Sequence, residues 1–316
     1  MNGEGKVAFL FPGQGSQHPG MGRDAAERYP EAREVFERAD RALSFPISEL
    51  CFEGPEEDLR LTENTQPAIL TVSSALGAVL RSMGARPDFV AGHSLGEYSA
   101  LVFAGSLPLE EAVALVRKRG GYMQAAVPVG SGAMAAILGL SAEDVAAVCR
   151  DASRGEIVEP ANFNGAGQVV IAGHRDAVER ASVLARERGA KRAISLPVSA
   201  PFHCRLMEAA AKALAPDLEA IPFRDLEMPL FTNVDARPIA TGAEARDALF
   251  RQVASPVRWE ETIVAMASSG VTRFVEVGPG KVLSGLVRKI EKDAAVDSVS
   301  GPADVERFFT EGATVV

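Results

Sequence analysis

The sequence predicts an α/β fold, with one parallel sheet covered by helices and a smaller β-rich unit inserted into it. Two patterns carry this prediction. Continuous apolar runs alternate with helix-compatible stretches, as expected for strands buried on both faces. Between Val127 and Pro201 that alternation gives way to a β-α-β-β-α-β order. The 316 residues are 47% apolar and 24% charged, which is typical of a globular protein with ample core.

The larger unit is predicted from its apolar periodicity and its turn residues. Before the insertion we expect, in order, a strand over 7–11, helices within 21–43 and 65–83, a strand over 89–91, and helices over 95–104 and 109–126. After it we expect a helix over 205–218, a strand over 229–234, helices over 242–253 and 259–269, a strand over 274–277 and a helix over 281–290. The residues from about 292 onward are weakly patterned and are predicted to form a surface tail.

The inserted unit has sharper local signals. Ser141-Ala142-Glu143-Asp144 matches a helix-capping sequence, and Gly165-Ala166-Gly167 separates two apolar runs. The predicted elements are a strand over 132–138, a helix to 150, strands over 157–163 and 168–172, a helix over 175–188 and a strand over 191–196. This order is ferredoxin-like. We therefore expect a large domain formed by residues 1–127 and 201–316, and a ferredoxin-like subdomain over 128–200.

Composition argues against several classes of protein. A formal net charge of −9 disfavours a nucleic-acid binder, and no apolar run has the length of a membrane span. The start of the chain lacks a basic segment followed by an apolar one, so a cytoplasmic location is expected. Cys51, Cys149 and Cys204 are widely separated, which predicts neither a disulfide framework nor a metal site.

The most informative segment is Gly92-His93-Ser94-Leu95-Gly96, between an apolar run and a helix-compatible stretch. A serine flanked by glycines at a strand-to-helix bend is typical of the nucleophile elbow of an α/β-hydrolase-like domain. The bend presents the hydroxyl and aims backbone N–H groups at the reacting centre. The bare pattern is weak, and a glycine-rich turn with a capping serine is the alternative.

A nucleophilic serine needs a base, and the chain has four histidines. His93 adjoins the serine and should point away from its hydroxyl. His174 begins a predicted helix and His18 lies in a polar loop. His203 stands where the chain re-enters the large domain, and clefts between domains are common sites. An ordinary helix-start histidine is the alternative for His203.

Two further residues are candidates on position alone. Arg119 lies roughly 60° from the centre of the apolar stripe of its helix. It therefore either meets an anion in a buried site or packs its stem on apolar surface with its head in solvent. Gln14 follows the first strand, at the edge where open α/β sheets bind ligands. It can lend a backbone N–H to an oxyanion or serve only as a turn residue.

Six segments, in this order along the chain, resemble the malonyl-CoA:acyl-carrier-protein transacylases, an acyltransferase family of bacterial fatty acid synthesis. The likeness runs from about residue 6 to 290, and the six together are far more specific than any one. The segments are Phe11-Pro12-Gly13-Gln14-Gly15-Ser16-Gln17, Gly92-His93-Ser94-Leu95-Gly96-Glu97, Arg119-Gly120, Pro201-Phe202-His203-Cys204, Arg251-Gln252 and Glu276-Val277-Gly278-Pro279-Gly280.

The resemblance implies a role for each matching position. Phe202 resembles the residue of the malonyl-selective members, whose methylmalonyl-selective relatives tend to have a small residue there. The implied roles are nucleophile for Ser94, base for His203, binding of the malonyl carboxylate for Arg119, oxyanion-hole N–H groups for Gln14 and Leu95, and a backbone carbonyl orienting the base for Gln252.

The implied reaction moves a malonyl group from malonyl-CoA to the phosphopantetheine thiol of acyl carrier protein through a malonyl-serine, with no cofactor beyond the coenzyme A thioester as substrate. A monomer is expected. Three alternatives stay open at this point: a free-standing acyltransferase that loads polyketide synthases, an acyl-editing serine hydrolase of the same fold, and a non-catalytic carrier-binding scaffold.

Overall fold

The structure is a computed structural model that describes residues 5–198 and 200–311. Its strands, in chain order, are β1 (Lys6–Phe11), β2 (Phe89–Gly92), β3 (Gly132–Leu138), β4 (Val158–Gly165), β5 (Gln168–His174), β6 (Arg192–Ser195), β7 (Leu230–Phe231), β8 (Pro238–Ile239), β9 (Val271–Val277) and β10 (Ala295–Val299).

The helices surround these strands. None of those formed by the described residues is long and apolar enough to cross a membrane. They are α1 (Arg23–Arg28), α2 (Pro30–Leu43), α3 (Ile47–Glu53), α4 (Glu56–Leu59), α5 (Thr62–Ser82), α6 (Leu95–Phe103), α7 (Leu109–Ala125), α8 (Ala142–Ser153), α9 (Arg175–Glu187), a 3₁₀ turn (Arg205–Met207), α10 (Glu208–Ala220), α11 (Gly242–Gln252), α12 (Trp259–Ser268), α13 (Val282–Ile290) and α14 (Pro302–Glu311).

The larger sheet has the order β10-β9-β1-β2-β7-β8. Every pairing in it is parallel except that of β7 with β8. Side chains of β1 alternate between two apolar cores, since Phe9 and Phe11 face one and Ala8 and Leu10 the other. A mostly parallel sheet buried on both faces confirms the predicted α/β class.

The smaller sheet has the order β4-β5-β3-β6 and is antiparallel throughout. Its connections run β3-α8-β4-β5-α9-β6, the order that the sequence predicts. One face packs under α8 and α9, with Ile137 and Val145 in a core of its own. The other face sends Met134 and Ala172 into the core of the large sheet. Where one domain ends and the other begins remains a prediction.

The predicted surface tail after residue 292 is wrong. β10 pairs in parallel with β9 along its whole length, from Ala295 opposite Arg273 to Val299 opposite Val277. In α14 Val305 is fully buried. The strand is half-buried at the sheet edge, so its side chains lack the apolar run that marks the inner strands.

Candidate active site

Ser94 occupies a sharp bend between β2 and α6. Its backbone has φ 52° and ψ −106°, a conformation that L-residues rarely adopt. The flanking glycines explain how the bend closes. A Cβ on Gly92 would lie 1.9 Å from the Gly96 carbonyl, and one on Gly96 would lie 1.9 Å from the Phe11 oxygen. The segment therefore has the geometry of a nucleophile elbow.

The serine hydroxyl meets an imidazole from a distant part of the chain. Ser94 Oγ lies 2.7 Å from His203 Nε2, and His203 Nδ1 lies 3.0 Å from the backbone oxygen of Gln252. A carbonyl can only accept, so the imidazole proton belongs on Nδ1 and Nε2 is left as the acceptor. Burial, helped by the positive charge of Arg119, lowers the pKa of His203 to about 3. His203 is thus neutral at ordinary pH.

Backbone donors around the elbow are almost all engaged. The N–H groups of Ser94, Gly96 and Glu97 donate to Asn233 Oδ1, His93 O and Ser94 O. The N–H groups of Leu95 and Gln14 have no acceptor among residues 5–198 and 200–311. Leu95 is the first residue of α6, where no carbonyl of the helix is available. These two free donors are the ones the sequence resemblance assigns to the oxyanion hole.

Arg119 is 2% exposed, so its position is interior rather than marginal to the apolar face of α7. Its Nη1 donates to Gln66 Oε1 and its Nη2 to Gln252 Oε1, each at 2.8 Å. Nη2 also lies 3.3 Å from Ser94 Oγ. No carboxylate oxygen of the described chain lies within 4.0 Å of the guanidinium. Burial lowers the pKa of Arg119, and a buried cation with neutral partners can accept an anion.

These groups share a cavity of about 120 Å³. The apolar side of that cavity is formed by Met123 from α7, Met134 from β3 of the smaller sheet, and Phe202 beside the histidine. Gln252 stands behind the cavity, where it is fully buried. The predicted residues in the lining are Gln14, Ser94, Leu95, Arg119, Phe202 and His203.

His93 and His174 have hydrogen-bond partners other than Ser94 and His203, although His93 also lines the cavity. His93 turns away from the hydroxyl as expected, with Nε2 2.9 Å from Asn164 Oδ1 and its ring against Trp259. His174 caps α9 and is half-buried, and its Nδ1 accepts the Ile157 N–H at 2.9 Å. No group of three or more His, Cys, Asp or Glu side chains in the described ranges could hold a metal ion.

Sequence reasoning missed the amides and the carboxyl around the site. Asn233 accepts the Ser94 N–H at 2.7 Å and donates to the Gly92 oxygen at 2.7 Å, so it connects the turn after β7 to the elbow. Gln66 holds Arg119, and Asn162 lines the cavity from β4. Glu97 accepts from Gln252 Nε2 at 2.7 Å. Single polar residues that follow no periodicity or spacing cannot be recognised as site residues from the sequence. Glu97 is the exception in position only, since it ends the second of the six segments that carry the family resemblance.

The fold and the elbow define an α/β enzyme of the kind that transfers or hydrolyses acyl groups, and the comparisons identify an acyltransferase. A family model described as an acyl transferase domain matches residues 8–304. A malonyl CoA-acyl carrier protein transacylase of Bacillus subtilis is 50% identical over 302 residues, covering 95% of both chains. The chain therefore belongs to the acyl transferase family and, within it, to the malonyl CoA-acyl carrier protein transacylases.

Solved structures agree with this placement. The crystal structure of an acyl carrier protein S-malonyltransferase from Vibrio cholerae superposes with a TM-score of 0.93 at 48% identity, covering 95% of this chain and 99% of that one. A malonyl-transacylase in complex with a type II PKS acyl-carrier protein superposes with a TM-score of 0.93 at 44% identity, covering 96% and 98%.

Proposed function

We propose that this enzyme transfers malonyl groups from malonyl-CoA to the phosphopantetheine thiol of acyl carrier protein, through an ester on Ser94. One observation carries the proposal. The Ser94 hydroxyl lies 2.7 Å from a neutral imidazole and 3.3 Å from a buried guanidinium that has no carboxylate partner in the described part of the chain. A nucleophile, its base and a receptor for a carboxylate thus converge on one small cavity.

In the first half-reaction Ser94 Oγ attacks the thioester carbon while His203 Nε2 takes the hydroxyl proton. The negative charge on the carbonyl oxygen is met by the free N–H groups of Leu95 and Gln14, each donor contributing about 3 kcal/mol. Collapse of the tetrahedral intermediate breaks the carbon–sulfur bond, and the imidazolium returns its proton to the departing thiolate. A malonyl ester remains on Ser94.

In the second half-reaction the carrier's thiol enters the cleft that coenzyme A has left. His203 removes the thiol proton, the sulfur attacks the ester carbon, and Ser94 leaves with the proton restored. The same groups therefore act in both half-reactions, and the use of one site in turn by two substrates predicts ping-pong kinetics. Only the identity of the second nucleophile separates this transferase from a hydrolase of the same fold.

Arg119 supports the choice of acyl group. A guanidinium can pair with a carboxylate through two parallel N–H···O bonds, which is strong and geometrically demanding in a dry pocket. An acetyl group would leave the buried cation unpaired, and that penalty favours malonyl.

A second candidate keeps this chemistry and changes the partner. The relative solved with its carrier is bound to a type II PKS acyl-carrier protein, which favours a polyketide carrier as an alternative recipient. Comparing transfer to fatty acid and polyketide carriers at equal concentration separates the two. Monomeric state, cytoplasmic location and independence of any cofactor remain predictions.

The proposal is tested by intact-protein mass spectrometry after exposure to malonyl-CoA. We expect one malonyl adduct on the wild-type protein and none on Ser94→Ala. Addition of holo carrier should discharge the adduct with stoichiometric malonyl-carrier formation, whereas water alone should discharge it slowly. An adduct that disappears equally fast without carrier would identify a hydrolase, and an adduct that survives Ser94→Ala would refute the nucleophile.

A further inference from the structure

A buried carboxyl lies directly behind the nucleophile, and the reaction as described makes no use of it. Glu97 belongs to the first turn of α6 and is 1% exposed. Its Oε2 accepts from Gln252 Nε2 at 2.7 Å and from the Asn233 N–H at 3.2 Å. Its Oε1 has no hydrogen-bond partner in the described chain. Burying a carboxyl in this way costs stability, so its position calls for a functional reason.

Gln252 connects this carboxyl to the reacting groups. Its Nε2 donates to Glu97 and, at 2.9 Å, to the backbone oxygen of Ser94. Its Oε1 accepts from Arg119 Nη2 at 2.8 Å, and its backbone oxygen faces His203 Nδ1 at 3.0 Å. One fully buried residue therefore contacts the nucleophile's backbone, the guanidinium and the base.

Only one orientation of the Gln252 amide satisfies these neighbours. The NH₂ group faces a carboxylate oxygen and a carbonyl, which both accept, and the oxygen faces a guanidinium, which only donates. A flipped amide would set its NH₂ against Arg119 and its oxygen against Glu97. The carboxyl and the guanidinium thus select the same orientation from opposite ends.

The separation of the two charged groups matters for substrate binding. Glu97 is not within 4.0 Å of any Arg119 nitrogen, because the Gln252 amide stands between them. A carboxylate in direct contact would occupy the guanidinium and compete with the substrate's own. Because the Gln252 amide lies between them, the Glu97 carboxylate can fix the orientation of that amide and leave the Arg119 guanidinium available to the substrate.

We propose that Glu97 is a positioning residue that fixes the amide of Gln252 and, through it, the orientation of Arg119 and His203. This inference rests on the proposed function. It assigns to Glu97 no contact with substrate and no proton transfer.

The experiment compares Glu97→Gln with Glu97→Met. Glutamine keeps a carbonyl oxygen for Gln252 Nε2 and Asn233, and its NH₂ takes the place of an oxygen that has no partner. Methionine fills similar volume but offers no acceptor. We expect Glu97→Met to lower kcat/KM for malonyl-CoA by roughly tenfold or more, because the support of the site is lost. Glu97→Gln should stay within about threefold of wild type.

A second readout separates positioning from general weakening. Arg119 would pair with the malonyl carboxylate, which acetyl lacks, so Glu97→Met should reduce malonyl loading by a larger factor than acetyl loading, with a raised KM for malonyl-CoA. Glu276→Gln is the matched control, since Glu276 is equally buried but accepts the N–H groups of Leu283 and Ser284 in α13. It should lower Tm without changing the malonyl-to-acetyl ratio.

Two results would overturn the proposal. One is a Glu97→Met protein with wild-type kinetics and an unchanged ratio. The other is a Glu97→Gln protein as impaired as the methionine variant, which would make the charge rather than the hydrogen bond responsible. Where the methionine variant does not fold, a folded Glu97→Gln protein whose kcat/KM falls roughly tenfold or more below wild type still overturns the proposal, and one within about threefold supports it. In either case the wild-type adduct on Ser94 still tests the proposed function by itself.

Discussion

The two sheets contribute to the site in different ways. The large, mostly parallel sheet ends in the loop of Gln14 and in the elbow, so it provides the proposed nucleophile and the two backbone N–H groups that have no acceptor among the described residues. The small antiparallel sheet provides cavity wall, Met134 from β3 and Asn162 from β4, and then returns the chain toward His203. The comparison teaches that the groups proposed to react come from the large sheet and its connections, whereas the small sheet contributes only to the wall of the cavity that would hold the acyl group.

The largest effect is expected for His203, which lies in the connection from the small sheet back to the large one. His203→Ala should lower the rate of acyl-serine formation by roughly 10³-fold or more, because the hydroxyl loses its only imidazole partner in the described structure. Release of coenzyme A in a single turnover measures it. His174→Ala, a histidine of the small sheet with a backbone partner, is the control and should acylate normally. Equal loss in both variants would contradict the assignment of the base.

A smaller effect is expected for Arg119→Lys. An ammonium cannot form the paired contact with a carboxylate, and malonyl loading should fall by at least about 10²-fold. Acetyl loading should not fall with it, since acetyl makes no such contact. Competition between the two thioesters, followed by mass spectrometry, gives the ratio directly. An unchanged malonyl preference would exclude Arg119 as the specificity residue.

Met134→Ala tests whether the small sheet contributes only to the wall of the cavity. We expect malonyl loading to change by less than about tenfold and loading of α-substituted malonyl groups to rise, because the wall recedes while the reacting groups stay in place. Ile137→Ala is the control on the same strand, with its side chain on the opposite face. Both variants should lose roughly 2–5 kcal/mol of stability, but Ile137→Ala should leave acyl preference unchanged. A large rate loss in Met134→Ala would mean that the small sheet takes part in the chemistry.

The smallest effect is a pH dependence of folding stability. The pKa of His203 is lowered to about 3 by burial and by Arg119, while in the unfolded chain it is about 6.5. The unfolded state therefore binds the proton more readily, and stability falls as the pH drops from about 6.5 toward 3. His203→Gln should lose less stability between pH 7 and pH 5, by on the order of 2 kcal/mol.

Denaturant unfolding of both proteins at the two pH values checks this. Burial raises the pKa of Glu97 to about 7, and that group has the opposite sign because its proton favours the folded state. It is present in both proteins, so the difference between them isolates His203. Parallel pH profiles would show that the histidine is not held neutral.

Local motifs were predictable from the sequence and long-range support was not. The elbow follows from neighbouring residues, because Gly92 and Gly96 are required by the bend that presents Ser94. Periodicity alone placed Arg119 at the margin of its helix face, although it is buried, since its partners Gln66 and Gln252 come from other helices. His203 was a candidate base from its position between the two domains, whereas a role for Gln252 came only from the family resemblance. The structure places both beside the serine.

The misjudged end of the chain has a practical consequence. β10 covers the outer hydrogen-bonding edge of β9, and without it a seven-residue strand would present unpaired N–H and C=O groups to solvent. Shortening the protein at residue 292 would therefore create a template for strand addition from a neighbouring molecule. Self-association during expression, rather than altered acyl transfer, is the failure that such a truncation would produce first.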